Sequence, residues 1–270
     1  MTESVFESVE KSCQVLRLDF SSAELAILAQ EQDLSPEQLQ AVAAVLEHLR
    51  QKKVDTTIQT LLKMSRLPLK DPKTFENFDF SMIKGRDVKR LQSLPSLSAI
   101  YARRNLAFIG PPGTGKTHLA QAFGYECCQR GIKTYFIKMS ELRDKFTAAR
   151  RAGKEAAILN GLVRPSCLII DEVGHCEFDK ENTRLFFDLI DRRYNKEGSC
   201  NIIFTSNKHP SKWKANFNED DALLCALDRI FDNAIVFNIK GEGYRGKRLE
   251  TLALQTSRVK APEPDQNPAT

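Results

Sequence analysis

The clearest chemistry in this 270-residue chain lies in eight consecutive residues: Gly110, Pro111, Pro112, Gly113, Thr114, Gly115, Lys116 and Thr117. They fit G-x-x-x-x-G-K-[ST] in its required context. The apolar run NLAFIG comes before them and the helical pattern KTHLAQAFGYECCQRG includes and follows the last two. Glycines let backbone N–H groups curl around phosphate oxygens, and the helix N-terminus adds partial positive charge. Lys116 is then placed to reach the β- and γ-phosphates, and the Thr117 hydroxyl to ligate Mg²⁺. The expected ligand is ATP with Mg²⁺.

The second signal is Leu168-Ile169-Ile170-Asp171-Glu172, an apolar strand ending in two acids. Downstream of a phosphate loop, Asp171 is expected at the carboxyl edge of the sheet, holding the Mg²⁺ shell. Glu172 is expected to orient and polarise an attacking water. The third is Ile203-Phe204-Thr205-Ser206-Asn207, a strand with a polar end. Asn207 there can contact the γ-phosphate or the water, or simply start a turn. The fourth is Arg229, after the helix-like DDALLCAL. An arginine at a subunit edge can complete a neighbour's site, or it can form a salt bridge on a helix surface. The fifth is Gly243-Tyr244-Arg245-Gly246-Lys247-Arg248, a basic turn suited to phosphate or to solvent.

These residues need a scaffold to converge, and the apolar pattern supplies one. Five short strand-like runs stand at 105–110, 133–139, 167–172, 201–207 and 234–239. Helical patterns alternate with them: 116–131, then 140–153 with Ser140 as expected cap, then 179–195 with Asp179 as cap. Alternating short apolar strands and helices predict a parallel sheet covered on both faces. Residues 21–63 read as helical, with Ser35-Pro36-Glu37 as an N-terminus and a stripe of Leu39, Val42, Val45, Leu46 and Leu49. The expected division is a helical N-terminal extension over 1–66, a proline-containing arm over 67–82, a core over 83–258 and a disordered tail over 259–270.

Apolar residues make up 41% and charged residues 28%, the balance of a globular protein. No run approaches a membrane span, and the N-terminus lacks the basic and apolar regions of a secretory signal, so a cytoplasmic location is expected. The seven cysteines lack a CxxC pair, and reduced thiols rather than a zinc site are expected. The net charge of +5 is unevenly spread. Residues 1–50 hold three basic and nine acidic residues, a net of −6, which leaves +11 on the rest. A basic body is a hint of nucleic-acid contact.

Taken together, the sequence resembles the AAA+ ATPases of the IstB/DnaC branch, and most of all the IstB-like transposition helpers. The resemblance rests on GPPGTGKTHLA (which brings in His118), LIIDEVG, LFFDLIDRRYN, FTSNKHPSKWKANFNEDDALLCALDRI with its single Trp213, GEGYRGK, and FENFDFS in the arm. It implies an AAA+ P-loop core with a five-stranded parallel sheet, carrying an α-helical N-terminal extension. Lys116 and Thr117 would be the Walker A pair, Asp171 and Glu172 the Walker B pair, Asn207 sensor 1, Arg229 an arginine finger and Arg245 the sensor 2 arginine. His118 would lie in the nucleotide site. The family assembles on duplex DNA with ATP as an oligomer that shares its ATP sites between subunits, and it recruits and activates a partner transposase. A DnaC-like replicative helicase loader is the alternative, since the ATPase core serves both. The stretch Gly174-His175-Cys176-Glu177 departs from the family's usual apolar Gly-Tyr-Leu-Pro. In the initiator and loader branch the helix after the second strand faces nucleic acid. The resemblance therefore implies DNA contacts from Lys138, Arg143, Lys145, Arg150, Arg151 and Lys154.

Overall fold

The computed structural model describes residues 4–83, 85, 87–217 and 220–240. The basic turn with Arg245 and the tail over 259–270 lie outside the described residues. Three helices open the chain: α1 (Val5–Leu16), α2 (Ser22–Glu31) and α3 (Pro36–Ser65). Each begins with a capping box, in which a serine accepts the third backbone N–H and a Glu or Gln reaches back: Ser4 with Glu7, Ser21 with Glu24, Ser35 with Gln38. Their apolar faces bury Val9, Cys13 and Leu25 against Phe6, Phe20, Leu39, Ala43 and Leu46.

The 30-residue α3 continues from this small cluster onto the main body. Leu62, with Ile58 and Leu61, joins the core cluster of the sheet, and Leu67 just past the helix does the same. Arg66 closes α3 in the left-handed conformation and pairs with Glu141 at 2.8 Å. The expected boundary at residue 66 therefore falls at a packed corner.

Two short helices, α4 (Val88–Gln92) and α5 (Ser98–Tyr101), lead into the sheet. There follow β1 (Asn105–Ile109), α6 (Lys116–Gln129), β2 (Thr134–Lys138), α7 (Met139–Arg151), α8 (Glu155–Val163), β3 (Cys167–Asp171), α9 (Lys180–Tyr194), β4 (Asn201–Ser206), α10 (Asp220–Phe231) and β5 (Ala234–Asn238). All five strands are parallel, in the order β2-β3-β4-β1-β5. The sheet separates two apolar clusters. One holds Ala107, Ile137, Leu168, Ile170, Ile202 and Phe204 with Phe146, Phe178, Phe186 and Trp213. The other holds Leu106, Phe108, Ile169 and Ile203 with Leu119, Phe123 and Leu62. Both faces of β1, β3 and β4 are thus dry, which is why those strands read as continuous apolar runs. No described helix is long and apolar enough to cross a membrane.

Two local expectations need correction. Ser140 does not cap α7: the helix starts at Met139, with Lys138 in the cap position and no side-chain cap bond. The helical pattern also ends sooner than the expected residue 153. Gly153 takes φ 60°, and a separate helix, α8, restarts at Glu155. Lys154 is the residue before α8, so it does not share a helix face with Arg143, Arg150 and Arg151.

Behind α9 lies a buried cation. The Arg193 guanidinium donates to five carbonyls: Leu162 (3.0 Å), Val163 (3.3 Å), Pro165 (2.8 Å), Ser166 (3.0 Å) and Asn201 (2.7 Å). These carbonyls belong to the end of α8, the entry to β3 and the start of β4. Nη1 serves three of them and Nη2 the other two, a planar spread that a lysine ammonium could not reproduce. The surface of α6 is equally constrained at Gly124. A Cβ there would stand 2.6 Å from Ile169 Cδ1 and 3.1 Å from Thr134 Cγ2. Gly124→Ala is expected to destabilise the fold by about 1–3 kcal/mol through overpacking, despite alanine's better helix propensity. A lower urea midpoint at unchanged m-value would establish this.

Candidate functional site: a phosphate loop at the carboxyl edge of the sheet

The carboxyl ends of β1, β3 and β4 meet beside the N-terminus of α6. Gly110 takes φ 156° where β1 turns into the loop, and a Cβ would stand 2.1 Å from the Ile239 carbonyl oxygen beyond β5. Glycine is therefore obligatory at the mouth of the loop. Gly113 and Gly115 follow with φ 80° and 86°. No side chain caps α6, which leaves its first backbone N–H groups for an anion. The Thr114 hydroxyl donates to the Pro111 carbonyl at 2.9 Å, and the buried Lys116 ammonium donates to the same carbonyl at 2.6 Å. The loop is thus closed on itself, with its lysine inside.

Across from the loop, Asp171 is 1% exposed. Its Oδ1 accepts the Thr117 hydroxyl at 2.8 Å and the Thr205 hydroxyl at 2.5 Å. Burial raises the Asp171 pKa, and the two hydroxyls partly oppose that rise. Such a carboxylate, next to a hydroxyl at a helix N-terminus, is an oxygen-rich donor set suited to a hard divalent cation. Thr205 also acts on the next residue, since its Oγ1 accepts the Glu172 N–H at 3.0 Å. Glu172 sits at φ 61°, a conformation that costs a non-glycine residue on the order of 1 kcal/mol. That kink lifts its side chain out of the strand and into the cleft.

The cleft has a volume of about 760 Å³ and is lined by the loop, by Thr117, His118, Glu172, His175, Thr205 and Asn207, and by the arm. The size suits a nucleotide. Lys73, Asn77, Phe78 and Asp79 of the arm form one wall. His118 ties that wall to α6: its Nε2–H donates to the Thr74 carbonyl at 2.9 Å, and the ring meets Phe78 edge-on, centroids 5.1 Å apart. Burial pushes the His118 pKa down, which favours the neutral ring in this role. At the end of β4, Asn207 donates from Nδ2 to His175 Nε2 at 3.2 Å. Below it, Trp213 donates its indole N–H to Ser206 Oγ and to the Lys208 carbonyl, each at 3.1 Å.

The loop residues, Thr117, His118, Asp171, Glu172 and Asn207 therefore converge. Arg229 does not join them. It lines a smaller cavity of about 390 Å³ with Asn105 and Asn201, at the opposite edge of the sheet. There it pairs with Asp191 at 3.2 Å and lies over the Phe187 ring, 5.2 Å from its centroid. The residues expected on DNA are scattered. Lys138 pairs with Glu172 at 3.3 Å, at the rim of the nucleotide cleft. Arg143 binds its neighbour Asp144, and Arg150 is held by Asp179 and Glu181 of α9. Lys145 is half-buried on α7, while Arg151 and Lys154 are exposed at its end. Sequence reasoning missed Thr205, His175 and the arm's Asn77 and Asp79 as cleft residues. Thr205 lay within a quoted strand, but nothing in its spacing marks which of two adjacent hydroxyls reaches Asp171. Among the described residues no group of His, Cys, Asp and Glu could hold a metal by itself.

The whole arrangement has known counterparts. A family model described as IstB-like ATP binding protein matches residues 11–251. The ATP-binding protein of insertion sequence IS5376 from Geobacillus stearothermophilus is 41% identical over 196 residues, 72% of this chain and 76% of that protein. The ATP-binding protein of insertion sequence IS21 from Pseudomonas aeruginosa is 35% identical over 199 residues, 74% of this chain and 73% of that one. In fold, the crystal structure of the DnaC helicase loader superposes with a TM-score of 0.51 at 20% identity, covering 62% of this chain and 97% of that one. With its five-stranded parallel sheet, phosphate loop and acidic strand end, this chain is an AAA+ P-loop ATPase and belongs to the family of IstB-like ATP binding proteins.

Proposed function

We propose that the chain is a transposition helper: it holds Mg·ATP at Gly110–Thr117, assembles on duplex DNA as an oligomer, and recruits and activates a transposase. The observation that carries the hydrolytic part is the pair of carboxylates at the end of β3. Asp171 is buried and fixed by two hydroxyls, and Glu172 beside it is turned into the cleft. Thr117 and Asp171 would hold the metal, which when bound supplies positive charge to the phosphates. Lys116 and the loop N–H groups bind and orient the phosphates. Glu172 accepts the proton of the attacking water, and Asn207 orients that water.

Arg229 serves another subunit in this reading. Its place at the opposite edge of the sheet supports a role in trans, since it lies away from the chain's own cleft. The transposition context is supported by the insertion-sequence relatives, and the DNA surface by Arg151 and Lys154 together with Lys145. Arg245, as a sensor 2 arginine, completes the site in this reading. Lys138, Arg143 and Arg150 would have to leave their acidic partners to reach phosphate, so they contribute less.

Thr205 is the hinge of the site. Thr205→Val keeps the shape but leaves the Glu172 N–H without its acceptor and Asp171 with one donor fewer. A loss of about 1–3 kcal/mol in chemical denaturation is expected, together with slower turnover. Glu172→Gln is expected to lower ATP turnover at least about 100-fold with ATP affinity little changed. It should also preserve ATP-dependent oligomers on duplex DNA in sedimentation. Only monomers with ATP and duplex present would overturn the helper reading. The double variant Arg151→Ala, Lys154→Ala is expected to weaken duplex binding uniformly across sequences. The slope of log K against log salt should fall by about one for each DNA phosphate that the variant no longer neutralises.

A further inference from the structure

Asn207 and Glu172 are the two polar groups offered to the attacking water, and the residue that touches Asn207 is one the family pattern does not supply. His175 stands one tight turn after Glu172. Val173 N–H donates to the Thr205 carbonyl at 2.8 Å, Gly174 takes φ 88°, and His175 N–H donates back to the Glu172 carbonyl at 3.3 Å. This turn carries the imidazole from the end of β3 to the end of β4. There its Nε2 lies 3.2 Å from Asn207 Nδ2, and both side chains line the nucleotide cleft.

A carboxamide donates at one end and accepts at the other, so its partner decides which end is left for the cleft. A neutral imidazole that accepts at Nε2 holds the Nδ2 end of Asn207. Oδ1 then remains to accept a hydrogen bond from water. We propose that His175 is the positioning residue for Asn207, its ring nitrogen holding the Nδ2 end so that Oδ1 is the end that meets the attacking water. The proposal rests on the reading of Asn207 as a water-orienting group.

The charged and titratable surroundings are these. On its own loop stand Glu172, paired with Lys138, and then Cys176 and Glu177. From the end of β4 come Lys208, which donates to Asn216 at 3.3 Å, and His209, bound to Ser211. The other walls of the cleft carry Lys116, His118, Lys73 and Asp79.

The test is steady-state ATP turnover of the full chain at saturating and limiting ATP. In His175→Leu the acceptor is gone. Its kcat is expected to fall about tenfold while KM for ATP stays within about threefold. In His175→Gln the Oε1 accepts from Asn207. This variant should keep kcat within about threefold of wild type, a rescue that a merely structural role for the ring would not give. His175→Leu should also add nothing to Asn207→Ala in the double variant. A His175→Leu enzyme with wild-type kcat overturns the proposal, as does a His175→Gln enzyme as slow as His175→Leu. Should the leucine variant fail to fold, His175→Ala takes its place beside the glutamine variant. A wild-type chain with no turnover overturns the hydrolytic reading and this proposal with it. Normal wild-type turnover with an indifferent position 175 overturns this proposal only.

Discussion

One oxygen atom organises the site. Asp171 Oδ1 accepts hydroxyls from Thr117 at the start of α6 and from Thr205 near the end of β4. It thereby joins three elements that the chain brings together from distant segments. A buried carboxylate is costly to keep charged, and hydroxyl donors are what make it tolerable. The same Thr205 fixes the backbone of Glu172, so both carboxylates at the end of β3 are positioned by one side chain. The sheet order makes this possible: β3 and β4 are neighbours, with β1 and its phosphate loop on the other side of β4. Any register slip along β3–β4 would separate Asp171 from Thr205 and turn Glu172 back into the core.

Much of this arrangement was legible in the residues. The phosphate loop, the acidic end of β3 and the five apolar runs predicted the parallel sheet, and the strands begin and end within a residue or two of those runs. Burial on both faces made β1, β3 and β4 legible, because a dry strand has no polar alternation to confuse with anything else. The helices were harder. The Ala152-Gly153 break and α8 were hidden inside a pattern that stays compatible with helix up to the glycine. The reach of α3 into the sheet's core was hidden too, because an exposed middle separates the partly buried Leu39, Ala43 and Leu46 from the buried Leu62.

The side-chain partners were the least legible. A row of basic residues after β2 suggested a nucleic-acid face, yet Lys138 and Arg150 point their charges at Glu172, Asp179 and Glu181. Those pairs span tens of residues, and no local spacing encodes them. His118 follows the same rule. It sits directly after the phosphate loop, but its ring nitrogen is used to tether the arm at Thr74. The arm in turn buries Phe78 and brings Asn77 and Asp79 to the cleft wall. The nucleotide site is thus bounded on one side by residues that precede the ATPase core in sequence.

The clasp made by Arg193 has a consequence for how the protein opens. One guanidinium holds the exit of α8, the entry to β3 and the first residue of β4. If these backbone groups let go together, a cation is left stranded in an apolar interior. The amides of these three segments should therefore exchange with solvent in concert, as one cooperative unit with α9. Opening at the end of the sheet remote from the phosphate loop is thereby tied to the fate of one side chain.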